Sequence, residues 1–350
     1  MAWPELTRID PVFRPRLWGA CTLAPLFPEQ SGLAQPVGEA WLTALDCRIA
    51  SGPYAGRDLQ EAWQEMDPRW RGTRLAAAAQ FPLLVKFLFP TDKLSIQVHP
   101  TDAYAAAYEQ AAGGRGKTEM WHALSAGPEA RVLVGLKPGA SKEKFLAALA
   151  AHQLEDLLES RSVHPGDTFF VPPGTPHTIG PGMILCEVQE YSDLTYRVYD
   201  YGRVDDAGQP RELHLEKALA VMNFGKIAGG KIALLPLPAR GMKKSLLAAC
   251  KYFAAERWEF AQAAELLTNQ EHFNLLVILS GSGEINCRDA MEPYLRGQAW
   301  FLPAALDSPR IIPAEPTTLL RIYVPDLPAL RNRLRDAGEN DAAISTVVFE

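Results

Sequence analysis

The sequence predicts a mainly β protein in which many short antiparallel strands form barrels or sandwiches, with a few α-helices at the edges. Short apolar or alternating stretches recur along the whole chain, for example at 82–89, 130–136, 183–190 and 272–279. The 28 prolines and 26 glycines interrupt these stretches often, as in a chain that turns between short strands. With 350 residues, the chain is long enough for two domains.

The composition is that of an ordinary soluble globular protein, with 47% hydrophobic and 22% charged residues. A formal net charge of −6 argues against a nucleic-acid or membrane-surface partner. No apolar run approaches the length that crosses a bilayer, and the polar, proline-broken N-terminus is not a signal-peptide pattern. The five cysteines are scattered without a CxxC pair, which fits reduced thiols and predicts a cytoplasmic protein.

Helical patterns lie between the predicted strands at 56–66, 102–112, 141–158 and 212–222. The second of these segments is alanine-rich and is expected to end at Gly113 and Gly114. Ser141 is a suitable N-cap for the third segment. Further along the chain, Gly281-Ser282-Gly283 is interpreted as the turn of a β-hairpin.

The segment 94–122 contains several residue types that bind a divalent metal or transfer a proton. Residues 94–99 are predicted to form a strand that ends at Pro100, because proline has no N–H to donate to the ladder. Successive strand side chains point to opposite faces, so Gln97 and His99 lie on the same face. A single histidine on a strand is more often structural than a ligand, so His99 needs further ligands nearby.

The chain returns through a second predicted strand, on which Lys117 and Glu119 share one face while His122 takes the other. If the two strands lie side by side with these faces inward, Glu119 converges with Gln97 and His99. Imidazole, carboxylate and amide oxygen form a mixed nitrogen and oxygen set. That set suits zinc or another first-row divalent ion.

Residues 166–177 match the pattern G-x5-P-x-G-x-x-H, with Gly166, Pro172, Gly174 and His177 at its fixed positions. Glycine and proline set a sharp turn, and the turn aims the following histidine inward. The pattern resembles the second motif of the cupin superfamily, whose members are small jelly-roll barrels with a metal at the centre.

The first cupin motif normally supplies two histidines and a glutamate, and Gln97, His99 and Glu119 stand at the matching positions. Glutamine as the first of these, within LSIQVHP and followed by GKTE, is similar to the type I mannose-6-phosphate isomerase family. The block YRVYDYGR at 196–203 resembles a third block of that family. The resemblance covers residues 80–225 strongly and the rest of the chain loosely.

The resemblance implies two cupin-like jelly-roll β-barrel domains with a few peripheral α-helices. Residues 1–228 would form a metal-binding catalytic domain with helical insertions, and residues 229–350 a second cupin-like domain without a metal site. Glycines interrupt the strand pattern near this boundary. Residues 297–303 echo the cupin turn, but Ala305 and Ser308 stand where its glycine and histidine would be.

The implied function is zinc-dependent isomerisation of mannose 6-phosphate to fructose 6-phosphate through an enediol, a reaction of carbohydrate metabolism. One zinc ion per chain would be bound by Gln97, His99, Glu119 and His177. The neutral amide and single carboxylate leave the ion poorly neutralised, so it would remain a strong Lewis acid. The expected partner is a small-molecule sugar phosphate, without nucleic acid or membrane, and the chain is expected to be a monomer or weak homodimer.

Arg197 and Lys117 are the candidate catalytic residues. The resemblance puts Arg197 in the mouth of the active site, whereas its sequence neighbours alone favour a surface ion pair with Asp193 or Asp200. Lys117 has the strand parity of Glu119, and a neighbouring metal cation would lower its pKa toward a range useful for proton transfer. The identity of the general base and of the group that opens the sugar ring stays open.

Ser95 and Arg203 are the candidate substrate-binding residues. Ser95 has the parity of Gln97 and, by resemblance, contacts the phosphate. The guanidinium of Arg203 matches phosphate oxygens well, although an arginine in a turn is often exposed to solvent. Lys86, within an apolar strand, is interpreted as a snorkelling or paired lysine.

Two other functions remain open on the sequence. One is a non-catalytic sugar-phosphate-binding or regulatory zinc cupin, which would be expected to lack Lys117 or Arg197, yet both are present. The other is a cupin oxygenase or a different sugar-phosphate isomerase. Oxygenase cupins favour iron with two or three histidine ligands, which fits a set containing glutamine and glutamate less well.

Overall fold

The structure, a computed structural model, describes residues 5–204, 208–225, 229–288 and 290–350. The described chain is mainly β, as predicted, and its strands lie in four antiparallel sheets. Each half of the chain contains two packed sheets that are not joined edge to edge, so the predicted barrels are sandwiches rather than closed barrels. None of the described helices has the length and apolar character of a segment that crosses a bilayer.

The strands of roughly the first 200 residues are β1 (Thr7–Ile9), β2 (Val12–Ala20), β3 (Val37–Trp41), β4 (Leu83–Leu88), β5 (Ile96–Val98), β6 (Glu119–Ala126), β7 (Arg131–Leu136), β8 (Leu158–Ser162), β9 (Thr168–Val171), β10 (His177–Ile179), β11 (Met183–Glu190) and β12 (Tyr196–Tyr199). The later strands are β13 (Gly230–Ile232), β14 (Leu235–Leu237), β15 (Lys243–Ala249), β16 (Ala254–Phe260), β17 (Ala264–Glu265), β18 (Asn274–Ser280), β19 (Ser282–Cys287), β20 (Ala290–Leu295), β21 (Ala299–Leu302), β22 (Arg310–Pro313) and β23 (Thr317–Tyr323). The α-helices are α1 (Leu59–Glu65), α2 (Pro68–Arg71), α3 (Asp102–Tyr108), α4 (Lys142–Ala150), α5 (Leu215–Val221), α6 (Leu327–Asp336) and α7 (Asp341–Ser345), with short 3-10 helices at Gln110–Ala112 and Leu154–Leu157.

The first sandwich packs a seven-stranded sheet against a five-stranded one. The strand orders are β13-β9-β6-β11-β4-β3-β2 and β12-β5-β10-β7-β8. Apolar side chains such as Trp121, Phe169 and Val134 fill the space between the two sheets. Burying each of them contributes roughly 1.5–3 kcal/mol relative to exposure. The outer face of the five-stranded sheet is covered by α4 and α5 through side chains that include Phe145 and Ala218.

The second sandwich has a seven-stranded sheet of order β1-β21-β18-β23-β16-β15-β14 and a four-stranded sheet of order β17-β22-β19-β20. One apolar core joins the two seven-stranded sheets, so the sandwiches pack against each other. Within that core, the ring of Phe81 lies 5.2 Å from that of Phe273 and 6.3 Å from that of Phe301, measured between centroids. The two halves of the chain therefore support each other.

The two sandwiches exchange one short strand in each direction. β1, near the start of the chain, pairs with β21 of the second sandwich. In return, β13 pairs with β9 of the first sandwich. The predicted domain boundary after residue 228 adjoins 226–228, which lie outside the described residues, and the division into 1–228 and 229–350 stays a prediction.

The predicted helix over 141–158 is wrong in its second half. Ser141 caps α4 as predicted, accepting a hydrogen bond from the backbone N–H of Lys144. The helix ends at Ala150, because His152 adopts φ of 56° and turns the chain away from the helix axis. Leu158 then begins β8. The helical predictions at 56–66, 102–112 and 212–222 are confirmed by α1, by α3 with its 3-10 extension, and by α5.

The predicted hairpin at Gly281-Ser282-Gly283 is also wrong. β18 pairs with β21 and β23, whereas β19 pairs with β20 and β22 in the other sheet. Gly281 has φ of +88°, and a side chain there would meet backbone and Thr317 atoms within 3 Å. The glycine thus lets the chain pass from one sheet to the other, which a local turn pattern does not distinguish from a hairpin.

Candidate metal centre and active-site cavity

Three potential metal ligands meet between the two sheets of the first sandwich. The ligand atoms of His99, Glu119 and His177 all lie within 4.8 Å of one another, and each residue is at most 1% exposed. The side-by-side arrangement under which the sequence brings His99 and Glu119 together is not the one found. β5 and β6 belong to different sheets, so the ligands converge across the sandwich instead of along one sheet.

The predicted turn before His177 holds this histidine against the strand of His99. Gly174 has φ of +78°, and its N–H donates to the backbone oxygen of His99 at 2.9 Å. β10 then pairs with β5, which makes His177 the register partner of Gln97. The turn set by the glycine and proline pattern therefore positions His177 through a backbone hydrogen bond to His99 in the first motif.

Both histidines are oriented by backbone carbonyls. Nδ1 of His99 lies 2.9 Å from the oxygen of Leu194, and Nδ1 of His177 lies 2.9 Å from the oxygen of Thr175. Because a carbonyl only accepts, each Nδ1 carries the proton and each Nε2 keeps a lone pair. The Nε2 atoms of His99 and His177 lie 3.7 Å and 3.3 Å from the carboxylate of Glu119.

The donor set fits a divalent cation. Burial lowers the pKa of His177 to about 4 and the pKa of His99 well below its ordinary value, so both are neutral, the form that binds metals. Burial raises the pKa of Glu119. Among the described residues, Nε2 of His99 and Oε1 of Glu119 have no hydrogen-bond partner, and Oε2 of Glu119 has only the ion pair with Lys117. Leaving a buried polar atom unsatisfied costs about 1–3 kcal/mol, which a bound cation would offset.

Gln97 is the fourth predicted ligand. Its Nε2 lies 3.1 Å from Nε2 of His177. The amide oxygen and nitrogen have nearly the same shape, so a half turn of the amide exchanges them at small steric cost. In the turned orientation the amide would offer its oxygen beside the histidine nitrogen, which is compatible with the predicted role as a ligand.

A cavity of about 380 Å³ opens beside the triad. Its lining includes four of the predicted site residues, Ser95, Gln97, Lys117 and Arg197. Nζ of Lys117 lies 2.7 Å from Oε2 of Glu119, and the two groups form a buried ion pair. The strand parity inferred from the sequence thus brings Lys117 into the cavity together with Glu119.

The pKa of Lys117 differs from the predicted direction. Burial alone would lower it, but the charges of Glu119 and Glu187 outweigh burial, so the pKa lies above its ordinary value. Glu187 lies 3.7 Å from Nζ of Lys117 and 3.4 Å from Nζ of Lys86. The predicted lowering depends on a bound metal cation and stays a prediction.

Arg197 lines the cavity from β12, where it is the register partner of Gln97. Its Nη1 donates to the backbone oxygen of Glu212 at 2.8 Å, and its buried Nε has no hydrogen-bond partner among the described residues. The alternative ion pair is not formed with the described carboxylates, because Asp193 pairs with Lys86 and Asp200 pairs with two other arginines.

The chain also matches known proteins over most of its length. Residues 6–125 match the family described as phosphomannose isomerase type I, catalytic domain. The mannose-6-phosphate isomerase ManA of Bacillus subtilis (strain 168) is 33% identical over 303 residues, covering 85% of this chain and 92% of the relative. The chain belongs to the type I phosphomannose isomerase family.

Two further comparisons support this membership. A mannose-6-phosphate isomerase of Streptococcus mutans is 33% identical over 297 residues, covering 84% of this chain and 90% of the relative. The crystal structure of the mannose 6-phosphate isomerase of Bacillus subtilis superposes with a TM-score of 0.82 at 31% identity, covering 91% of this chain and 99% of that chain. Membership in the phosphomannose isomerase family makes the chain an isomerase, which disagrees with the non-catalytic alternative.

Of the two residues predicted to bind substrate in this isomerase, one lines the cavity. Ser95 is buried there, whereas Arg203 is not among the lining residues. Nη2 of Arg203 lies 2.6 Å from Oδ1 of Asp200, and its Nη1 lies 3.3 Å from Oδ2 of Asp92. Both substrate-binding roles stay predictions.

Sequence reasoning did not assign to the isomerase cavity several titratable residues that line it, namely Arg16, Glu39, Lys86, Glu187, Arg211 and His214. Lys86 is paired, as interpreted from the sequence, but it is also fully buried beside the cavity. His214 lines the cavity at the start of α5. No spacing pattern connects these residues, because they come from distant segments. His122 faces away from the ligands and contacts Thr168 at 3.0 Å, as expected for a structural histidine.

Proposed function

We propose that the protein is a zinc-dependent mannose-6-phosphate isomerase that interconverts mannose 6-phosphate and fructose 6-phosphate through an enediol. The observation that carries the proposal is the buried triad of His99, Glu119 and His177, which lies beside a cavity lined by Lys117 and Arg197. The choice of substrate is supported by two relatives at 33% identity that are named mannose-6-phosphate isomerases.

In this proposal one zinc ion per chain is held by Gln97, His99, Glu119 and His177. Bound there, zinc supplies a Lewis acid that stabilises negative charge on a substrate oxygen. Gln97, Glu119 and His177 lie on β5, β6 and β10 of two facing sheets and His99 directly follows β5, so the fold fixes the positions of the four proposed ligands. The carbonyls of Leu194 and Thr175 keep the histidine nitrogens aimed at the centre.

The isomerisation moves a proton between C2 and C1 and a second proton between the two oxygens. Lys117 is the candidate to hold or move a proton, because its Nζ lies in the cavity beside Glu119. Arg197 is better suited to stabilise enediolate charge, since a guanidinium keeps its proton. Trp18, Leu88 and Ile179 supply an apolar part of the wall, which favours exclusion of water.

The proposal includes the remaining expectations from the sequence. The ligand is a small-molecule sugar phosphate, with neither nucleic acid nor membrane as a partner, and the chain is a monomer or weak homodimer. A cytoplasmic location is supported by the five cysteines, which are all free and of which four are buried.

The proposal is tested by elemental analysis together with a coupled isomerase assay on mannose 6-phosphate and glucose 6-phosphate. We expect about one zinc per chain, loss of activity on chelation, and recovery on adding zinc. Full activity in metal-free protein would refute the zinc site. Turnover of another phosphosugar without turnover of mannose 6-phosphate would refute the substrate.

A further inference from the structure

Three guanidinium groups line the same cavity, those of Arg16, Arg197 and Arg211. Burial lowers the pKa of Arg197, and the neighbouring charges of Arg211 and Arg16 lower it further. Like charges in one partly buried cavity repel each other, and the repulsion is relieved when an anion enters. The cavity is therefore suited to a ligand with a strongly charged acidic group.

Arg211 is held in place by Asp200. Its Nε lies 2.7 Å from Oδ2 of that carboxylate, and its Nη2 contacts Oδ1. These two contacts engage the edge of the guanidinium formed by Nε and Nη2, so a ligand would meet the edge that carries Nη1. Asp200 is buried and also pairs with Arg203, so one carboxylate lies between two arginines and the local charge stays positive.

Arg16 approaches from the other sheet of the sandwich. It lies on β2, and its Nη2 is 2.7 Å from Oε2 of Glu39 on β3. The same oxygen of Glu39 accepts a hydrogen bond from Nε1 of Trp41 at 2.7 Å. A fixed carboxylate thus positions Arg16, just as Asp200 positions Arg211. The two arginines reach the cavity from different sides, because Arg211 belongs to the segment that follows β12 of the five-stranded sheet.

We propose that Arg16 and Arg211 bind the phosphate of the substrate and that Asp200 is a positioning residue for Arg211. This inference rests on the proposed function, in which the reacting C1 and C2 lie near the metal ligands. The phosphate on C6 is at the opposite end of the sugar. Arg197 is the register partner of Gln97 and therefore lies near the reacting carbons. The guanidinium groups of Arg16 and Arg211 are then the ones that can pair with the phosphate oxygens.

Arg203 provides a matched control for Arg211. Both arginines pair with Asp200, but only Arg211 lines the cavity. We expect Arg211→Ala to raise KM for mannose 6-phosphate by about ten- to one-hundredfold, the loss of a charge-assisted hydrogen bond, with little change in kcat. Arg16→Ala should act in the same direction, and Arg203→Ala should change KM by less than about threefold. A merely structural role would affect the Arg211 and Arg203 variants alike.

Two further measurements separate phosphate binding from folding and from catalysis. Inorganic phosphate should raise the Tm of the wild-type protein and of Arg203→Ala, but not that of Arg211→Ala. Asp200→Asn should raise KM less than Arg211→Ala, and the effect of Arg211→Ala on KM should be smaller for unphosphorylated mannose than for mannose 6-phosphate. If Arg211→Ala does not fold, Arg211→Lys is used, which keeps the charge but loses the paired geometry and should still raise KM.

An unchanged KM in Arg211→Ala, or equal changes in Arg211→Ala and Arg203→Ala, would overturn the phosphate assignment. If the wild type itself fails to isomerise mannose 6-phosphate, the proposed function fails instead. The effect of inorganic phosphate on Tm then still tests the anion site, because it does not depend on turnover.

Discussion

Each sandwich buries a glutamate on a strand of its seven-stranded sheet, and the two glutamates are treated in opposite ways. Glu119 in the first sandwich has one close cationic partner among the described residues, Nζ of Lys117 at 2.7 Å from Oε2, and its Oε1 has no hydrogen-bond partner. Glu256 in the second sandwich accepts hydrogen bonds from Trp258 at 2.8 Å, Tyr323 at 3.0 Å and Arg321 at 3.2 Å. Burial raises the pKa of Glu119, whereas at Glu256 the partners outweigh burial and the pKa is lowered.

The buried histidines differ in the same way. Nε2 of His99 in the first sandwich has no hydrogen-bond partner among the described residues. In the second sandwich both ring nitrogens of His272 are engaged, with the oxygen of Phe273 at 3.0 Å and with the side chain of Asn269 at 3.3 Å. Its ring also stacks on Tyr323, with centroids 4.4 Å apart. The two β-sandwiches therefore use buried glutamate and histidine differently. In the first sandwich, polar atoms without hydrogen-bond partners form a candidate reactive site. In the second sandwich, hydrogen bonds within the protein satisfy the corresponding residue types and form a structural network.

The largest effect is expected at His177. Replacing it with alanine removes one of four proposed ligands, so zinc affinity should fall by orders of magnitude and isomerase activity should be lost. Zinc content after dialysis against a weak chelator measures this directly. His272→Ala is the matched control, since it removes a buried histidine from the second sandwich and should leave the zinc content unchanged. Stoichiometric zinc in dialysed His177→Ala would contradict the ligand assignment.

A smaller effect is expected for the two cavity cations that are not proposed ligands. Lys117→Ala and Arg197→Ala should fold and keep zinc, yet each should lose kcat by roughly 100-fold or more, with KM nearly unchanged. Steady-state kinetics and elemental analysis on the same samples check this. Lys244, which lies 3.6 Å above the ring of Trp258 in the second sandwich, is the control lysine, and Lys244→Ala should turn over normally. Normal turnover of Arg197→Ala would show that its assigned role is wrong.

The smallest effect on catalysis is expected for Glu256→Gln, which should change stability instead. Removing this charge leaves Arg321 without its buried partner, so the free energy of unfolding should fall by about 3 kcal/mol while kcat of the folded enzyme is unchanged. Denaturant titration measures the first quantity and steady-state kinetics the second.

The pH dependence has a definite sign. The folded pKa of Glu256 lies below its ordinary 4.5, so its contribution is present above that pH and is lost as the pH falls through the folded pKa. Glu256→Gln should therefore weaken the loss of stability in acid. An unchanged acid profile would show that the pair does not stabilise the second sandwich.

The sequence could predict relationships within one strand or one turn. Parity along a strand brought Lys117 to the side of Glu119, and the glycine and proline pattern identified the turn before His177. The sequence could not reveal that the strands of His99 and Glu119 face each other from different sheets. The alternation of side chains along each strand is the same whether the two strands pair within one sheet or lie in two facing sheets. Strand pairing between distant segments decides that question.

Residues whose positions depend on partners far away in the chain could not be found from the sequence. Arg16 lines the cavity because Glu39 holds it, and Arg211 because Asp200 does. Arg203 is one of the two predicted phosphate contacts, and it pairs with the same carboxylate from outside the cavity lining. Two arginines eight positions apart in an irregular segment carry no periodic signal that tells them apart.

The pairing of β1 with β21 of the second sandwich also affects folding during translation. Thr7–Ile9 is made early, but its partner strand, Ala299–Leu302, emerges only after most of the chain has been translated. At ~5–20 residues per second the interval is roughly 15–60 s. The other edge of β1 bonds to residues 48–50, which are made early, but the edge that will pair with β21 has no partner during that time and is exposed to wrong partners. The second sandwich therefore cannot complete its seven-stranded sheet until most of the chain has been synthesised.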